Sequence, residues 1–421
     1  MKWKKYLKGF VSSVLAVSMV LGTATIYNGA EAEEAETEVL QAVNTAENSV
    51  KTAEDQTEYY HGSGDRADRG WNFEEFLQTT IYKDSIASLY NYFTFPTGDQ
   101  ANSSIFQYWE SRGVTKEYYD LYDPERQWAV YYPNGLYFEA DEDYEYPVVF
   151  CLHGGSNSIL MAESYGWSEL CATEGFICVI PWAQAYEGGD QEGNLIVEEI
   201  PRILEILKEN YSIDENRIFA VGFSAGGRST TNVIMEYPDL FAAAACTTTA
   251  LYPSAEEANV LNDAGYKDVF SYDDFDRITS YQMPLMLYGG TMDTNWPINS
   301  DPDLSWPVTT EDLNRWMNIT GAIFPEVTDE SREYYPTTSG IGVERIIGLD
   351  FEIENCSIIE RQDTYCYIGD YLNEDGVCTL RCLAVEGMPH WPLSCEAELI
   401  WDFFSQFSRN QETGELEYFN S

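Results

Sequence analysis

Histidine is the scarcest reactive residue in this sequence, with three copies, His61, His153 and His390. Any chemistry that needs a neutral imidazole must draw on these. Basic residues are also few: Lys and Arg total 23 against 71 Asp and Glu, for a formal charge of −48. That balance excludes nucleic acid and anionic membrane surfaces as partners and disfavours a polyanionic substrate, while leaving neutral or cationic ones open. Its simplest meaning is solubility in an exported protein. None of the nine cysteines forms a Cys-x-x-Cys pair, and with so little histidine a metal centre is not expected, nor any cofactor. An odd cysteine count leaves at least one thiol outside any intrachain bridge. Cys151 and Cys178 sit in apolar runs and read as small buried hydrophobes. Cys356, Cys366, Cys378, Cys382 and Cys395 crowd the last third, where one or two bridges of open connectivity are expected. No internal repeat is visible.

What is present begins with Lys2, Lys4, Lys5 and Lys8, an apolar run from Phe10 to Tyr27, and Ala30-Glu31-Ala32. This is the pattern of a secretory signal peptide over 1–32, the alternative being an uncleaved membrane anchor. After cleavage the chain is expected to be secreted, extracellular and off the membrane. Residues 33–58 are Glu, Ala and Thr with almost no aromatics, an acidic linker without a fold of its own. Residues 59–126 form an aromatic-rich N-terminal extension that includes Trp71, Phe93, Tyr108 and Trp109. It reads as a packed extension of the core, or alternatively as a surface that stacks on sugar or polymer.

From 127 to 410 apolar strand-like runs alternate with helical patterns. Trp128 to Tyr132, Pro147 to Leu152, Phe176 to Ile180, Ile218 to Phe223, Phe241 to Cys246, Leu285 to Tyr288 and Cys378 to Val385 are strand candidates. Helix candidates lie at 160–173, 194–211, after Ser224, and at 396–407; Pro201 predicts a start or kink in the second. Strands apolar throughout, each followed by a helix, predict a mostly parallel sheet covered on both faces. Residues 411–421 are left as a tail.

Within this pattern Gly222-Phe223-Ser224-Ala225-Gly226-Gly227 follows a buried strand and opens a helix-compatible segment. Gly-x-Ser-x-Gly alone is common, but strand-turn-helix context makes it a nucleophile elbow, with glycines where a Cβ would clash. A serine hydroxyl needs a base oriented by a carboxylate. His390 lies between the last strand and the last helix and is the candidate base. Asp293, after strand and Gly289-Gly290, is the candidate orienter, ahead of Asp276, Asp301 and Asp303, which lack strand-end context. His153-Gly154-Gly155, directly after a strand, is the candidate oxyanion loop, and Ala225 supplies the second N–H donor. Trp182 and Trp391 are candidate pocket residues.

With these pieces in place the sequence resembles α/β-hydrolase esterases of the polyhydroxybutyrate depolymerase, feruloyl esterase and acetyl xylan esterase type. The resemblance runs from about Gln127 to Phe407. It rests on Pro147 to Ser156, Ile213 to Gly227, Tyr237-Pro238-Asp239-Leu240-Phe241-Ala242, Gly290 to Asp293 and Gly387 to Pro392. It implies the α/β-hydrolase fold and hydrolysis of carboxylic esters through an acyl-serine on Ser224, with a polysaccharide ester or polyester as substrate. Residues 294–377 and the Met388-Pro389-His390 loop depart from the pattern and leave acyl specificity open. Two rivals stand beside it. One is a serine peptidase of the prolyl-oligopeptidase type, although 59–126 is too short for a propeller. The other is a non-catalytic polymer-binding protein with the same fold. The oligomeric state is not fixed by any of these features.

Overall fold

The computed structural model describes residues 109–120, 126–134, 144–154, 159–182, 195–247, 275–290, 310–323, 356–361, 364–385 and 395–419. They build a ten-stranded sheet of order β1-β2-β4-β3-β5-β6-β7-β10-β9-β8 and a separate β11-β12 hairpin. The strands at its centre are β3 (Tyr146–Leu152), β4 (Ile177–Pro181), β5 (Ile213–Phe223), β6 (Ala243–Thr247), β7 (Leu285–Gly290) and β10 (Cys378–Val385). These pair in parallel. At one edge β1 (Val114–Tyr119) and β2 (Trp128–Pro133) run antiparallel, and at the other β8 (Cys356–Arg361) and β9 (Thr364–Leu372) do so.

The parallel strands are apolar where both faces are covered; the exceptions are the polar opening of β5 at Asp214 to Arg217 and Arg381 of β10, which pairs with Asp370. Phe219 of β5 stacks on Phe404 at 4.9 Å, which belongs to α7 (Cys395–Phe404). Phe404 in turn meets Trp167 of α2 (Trp167–Glu174) at 5.9 Å. The opposite face carries α3 (Leu195–Asn210) and α4 (Ala225–Glu236). In α3 the buried residues Ile196, Ile200, Ile203, Leu204 and Leu207 recur at helical spacing, the stripe that drives it onto the sheet. Shorter helices are α1 (Ile159–Ala162), α5 (Phe275–Thr279) and α6 (Thr310–Ile319). Among the described residues no helix is long and apolar enough to cross a membrane.

Several expectations are corrected. The helix over 160–173 is three pieces, α1, a 3₁₀ turn at Glu163–Tyr165 and α2, because Gly166 adopts φ 92 and ends the turn. The sheet begins at Val114, upstream of the boundary drawn at 127, and Phe407 leaves α7 to start β11 (Phe407–Arg409). That strand pairs with β12 (Leu416–Tyr418) in the stretch taken as a tail. Strands β8 and β9 lie inside the long departure at 294–377. Cys378 and Cys382 are buried free thiols, so no bridge forms between those two: they serve as apolar filling, as Cys151 and Cys178 do. Burial pushes the Cys246 thiol up to about 12. Residues 1–58 lie outside the described residues, and with them the signal and linker.

Pro201 does not start α3 but sits inside it. A mid-helix proline leaves the carbonyl four residues back without its amide donor. Here that carbonyl is Val197 O, and it accepts from Tyr237 Oη at 2.9 Å. A side chain of the segment after α4 thus completes α3. Tyr237→Phe is expected to cost about 1 kcal/mol, read as a lower urea midpoint with unchanged slope.

Candidate active site

Strand β5 ends at Phe223 and α4 begins at Ala225, leaving one residue, Ser224, to turn the chain. Ser224 adopts φ 54, ψ −119, a region that ordinary residues occupy only when their surroundings force it, at a cost of about 1–3 kcal/mol. The surroundings are glycines. A Cβ on Gly222 would overlap the Gly226 carbonyl group and Thr230 Oγ1, and one on Gly226 would overlap the carbonyl oxygens of Leu152 and His153. The first turn of α4 therefore lies directly against the end of β3. Its inward side chains are small and satisfy themselves locally: Thr230 Oγ1 donates to Gly226 O at 2.9 Å and Ser229 Oγ to Ala225 O at 3.2 Å.

Register brings the other pieces to the same edge. Leu152 pairs with Gly222, Phe223 with Thr247, Thr247 with Tyr288, and Gly290 with Val385. The carboxyl ends of β3, β5, β6, β7 and β10 are thus level, so the segments leading to His153, Ser224, Asp293 and His390 all depart from one rim. Asp293 follows the last residue of β7 by three positions and His390 follows that of β10 by five. Adjacent strands lie about 4.8 Å apart, so β5 to β10 spans about 14 Å. Asp293, His390, Trp391 and Gly155 themselves lie outside the described residues, as do Asp301, Asp303 and His61. Asp276 lies on α5.

The loop after β3 is held from two sides. His153 is buried, with Nδ1 2.8 Å from Gly154 O and Nε2 3.1 Å from Trp182 O. Both ring nitrogens thus face backbone carbonyls, and the imidazole acts as a brace for the loop. Trp182 contributes through its backbone: its carbonyl meets His153 and its N–H donates to Gln127 O at 2.9 Å. The Gly154 N–H donates to Tyr165 Oη at 3.2 Å, so that amide is engaged in holding the loop. Ala225 opens α4, and its N–H belongs to the helix's first turn, whose donors have no intrahelical acceptor.

Tyr165 was not distinguishable from the sequence. Its ring packs edge-on to Phe223 at 5.4 Å between centroids, immediately before Ser224. A void of ≈ 10 Å³ beneath the turn is walled in part by Tyr165, Gly222, Phe223 and Glu396. A ligand pocket needs roughly 300 Å³ or more, so this void is a packing space.

The sheet order and the strained serine turn above the fifth strand define the class: this is the α/β-hydrolase fold. Residues 182–303, which include the Ser224 turn, match the model of the prolyl oligopeptidase family, Peptidase_S9. Poly(3-hydroxyalkanoate) depolymerase C of Paucimonas lemoignei is 36% identical over 110 residues, 24% of this chain and 27% of that protein. The bifunctional acetylxylan esterase/xylanase XynS20E of Neocallimastix patriciarum is 29% identical over 99 residues, 23% of this chain and 15% of that protein. The chain thus spans between 15% and 27% of the length of these curated relatives. Among solved structures, the acetyl xylan esterase from Aspergillus awamori aligns over 69% of this chain and 99% of that one, with TM-score 0.39 and 15% identity. The two curated relatives share their similarity with this chain over about a quarter of its length.

Gly226→Ala is expected to destabilise by about 3 kcal/mol, because the new methyl meets backbone carbonyls that cannot swing aside. Chemical denaturation checks it; a variant as stable as the parent would show that α4 can draw back from β3.

Proposed function

We propose that this protein is a secreted serine hydrolase that cleaves carboxylic esters through an acyl-Ser224 intermediate. Its cleavable N-terminal signal is 1–32. The observation that carries the reading is Ser224 at φ 54, ψ −119, held above the carboxyl rim of the sheet at the level where β3, β7 and β10 also end. In this reading His390 takes the Ser224 proton as the hydroxyl attacks the ester carbonyl, and Asp293 orients the imidazole. The developing oxyanion is met by the Ala225 N–H and by an amide of the loop beyond Gly154, with Gly155 allowing close approach. The tetrahedral adduct collapses with expulsion of the alcohol, which takes its proton from His390. Water then repeats the sequence on the acyl-enzyme.

A neutral ester polymer is the substrate class proposed, a polysaccharide ester carrying acetyl or feruloyl groups or a polyester. The depolymerase and acetylxylan esterase names of the relatives support it, and the charge of −48 disfavours polyanions. Trp391 and Trp182 are proposed to border the acyl site. A peptidase of the prolyl-oligopeptidase type is the second reading, favoured by the match over 182–303.

A fluorophosphonate probe is expected to label Ser224, and Ser224→Ala to abolish both labelling and aryl acetate hydrolysis; an unlabelled, folded parent would sink the enzyme reading. Activity should rise between about pH 5 and 8, since only the neutral imidazole accepts the proton, and a flat profile would remove His390 from the base role. Acetylated xylan, methyl ferulate, polyhydroxybutyrate and a prolyl peptide amide, compared at equal enzyme, separate the two readings.

A further inference from the structure

The amino-end rim of the sheet carries a group of side chains that the serine chemistry does not use. Strand alternation puts Arg217 on the same face of β5 as Phe219. Both meet Trp401 of α7: Phe219 edge-on at 5.9 Å between centroids, and the Arg217 guanidinium over the ring at 6.0 Å. The same guanidinium lies 5.8 Å from the Phe419 ring centroid. Tyr144 completes the group. Its Oη donates to Gly175 O at 3.3 Å, beside Glu174, whose Oε2 accepts from Trp401 Nε1 at 3.1 Å.

Two observations set this group apart from ordinary packing. Among the described residues four large hydrophobics stand in solvent, and two of them, Tyr144 at 40% and Phe419 at 51% exposure, are here. Arg112, Arg126, Arg202 and Arg381 each pair with a carboxylate. Arg217 forms no such pair among the described residues, and its Nε is buried without a hydrogen-bond partner. The guanidinium is thus held by rings rather than by acceptors. Arg217 is only partly buried, so its donor capacity remains within reach of a ligand. Burial lowers Arg217 from its ordinary range, and Asp214 lies near enough for its charge to oppose that.

What such a surface can hold follows from its chemistry. Exposed rings take the apolar C–H face of a ligand. The guanidinium calls for an oxygen acceptor, while Asp214 takes a hydroxyl donor and repels an anion. A polyester chain offers acceptors but no donors. A second copy of this chain, at −48, repels the first. A sugar ring offers an apolar face together with hydroxyls that both accept and donate.

We propose that Tyr144, Arg217 and Phe419 form a second, non-catalytic binding surface for a neutral polysaccharide chain, at the rim opposite Ser224. This surface rests on the ester-polymer reading above for its role and selects the polysaccharide from it. Arg217 precedes Ser224 by seven residues, about 23 Å of extended strand. The surface therefore acts as a tether, raising the concentration of polymer near the rim that carries Ser224.

Electrophoresis of Ser224→Ala through gels containing deacetylated xylan reads binding without turnover. Xylan is expected to retard it. Phe419→Ala or Tyr144→Ala in that background should weaken binding about 5- to 10-fold, and Arg217→Lys should weaken it too, because the planar fork is lost. With Ser224 restored, the ratio of KM on acetylated xylan to KM on an aryl acetate should rise several-fold in each variant. A parent that xylan does not retard, equal retardation of parent and variants, or variants that lose polyhydroxybutyrate binding in place of xylan binding would overturn the proposal. So would a concentration-dependent dimer that Phe419→Ala dissolves. Xylan binding that depends on Phe419 in a protein that fluorophosphonate does not label would uphold the surface while sinking the esterase reading, so the two failures are distinguishable.

Discussion

The close passage of α4 over the end of β3 is the constraint on which the rest of the rim depends. Helix and strand meet backbone to backbone, with Gly226 against the carbonyls of Leu152 and His153 and Gly222 against Gly226. Only at that separation can a single residue, Ser224, connect β5 to α4, and only with its φ driven positive. The same contact sets the loop after β3 beside the helix N-terminus. The Ser224 turn and the His153-Gly154 loop are thus fixed by one packing event rather than by two independent ones. In the proposed mechanism the first amides and positive dipole end of α4 would meet the negative charge that develops on the substrate.

Much of this was legible because glycine and apolar residues are demanded by sterics that act locally. A parallel strand covered on both faces is largely apolar, so β3, β4 and the second half of β5 announce themselves. The glycines around Ser224 are equally local. Strand β1 was missed because its inward position is Lys116, a charge where periodicity calls for a hydrophobe. It is an edge strand, and an inward charge guards such an edge against further pairing. The partner that makes this charge tolerable, Glu163, is 47 residues away. Tyr165 was invisible for the same reason, since its significance lies in a contact with Gly154 and not in its own neighbourhood. Pro201 misled because the donor that rescues Val197 O comes from Tyr237, a residue of a different element. Local rules fail here wherever a long-range polar contact overrides them.

The opposite rim of the sheet is held by a charge. Arg409 of β11 is fully buried and bonds only backbone carbonyls: Phe241 O at 2.7 Å, Tyr281 O and Gly414 O at 2.9 Å, and Gln282 O at 3.4 Å. Phe241 leads into β6, and Tyr281 and Gln282 lead into β7. One guanidinium therefore pins the amino ends of two neighbouring strands to the C-terminal hairpin by donating to their backbone carbonyls. Burial lowers Arg409 to about 10, which still leaves it charged near neutrality. Removing it would take the donor from the buried Phe241 carbonyl and cut three further ties, a loss of about 1–3 kcal/mol. The sheet is thus clamped at its amino-end rim, opposite the rim where Ser224 adopts the turn its glycines permit.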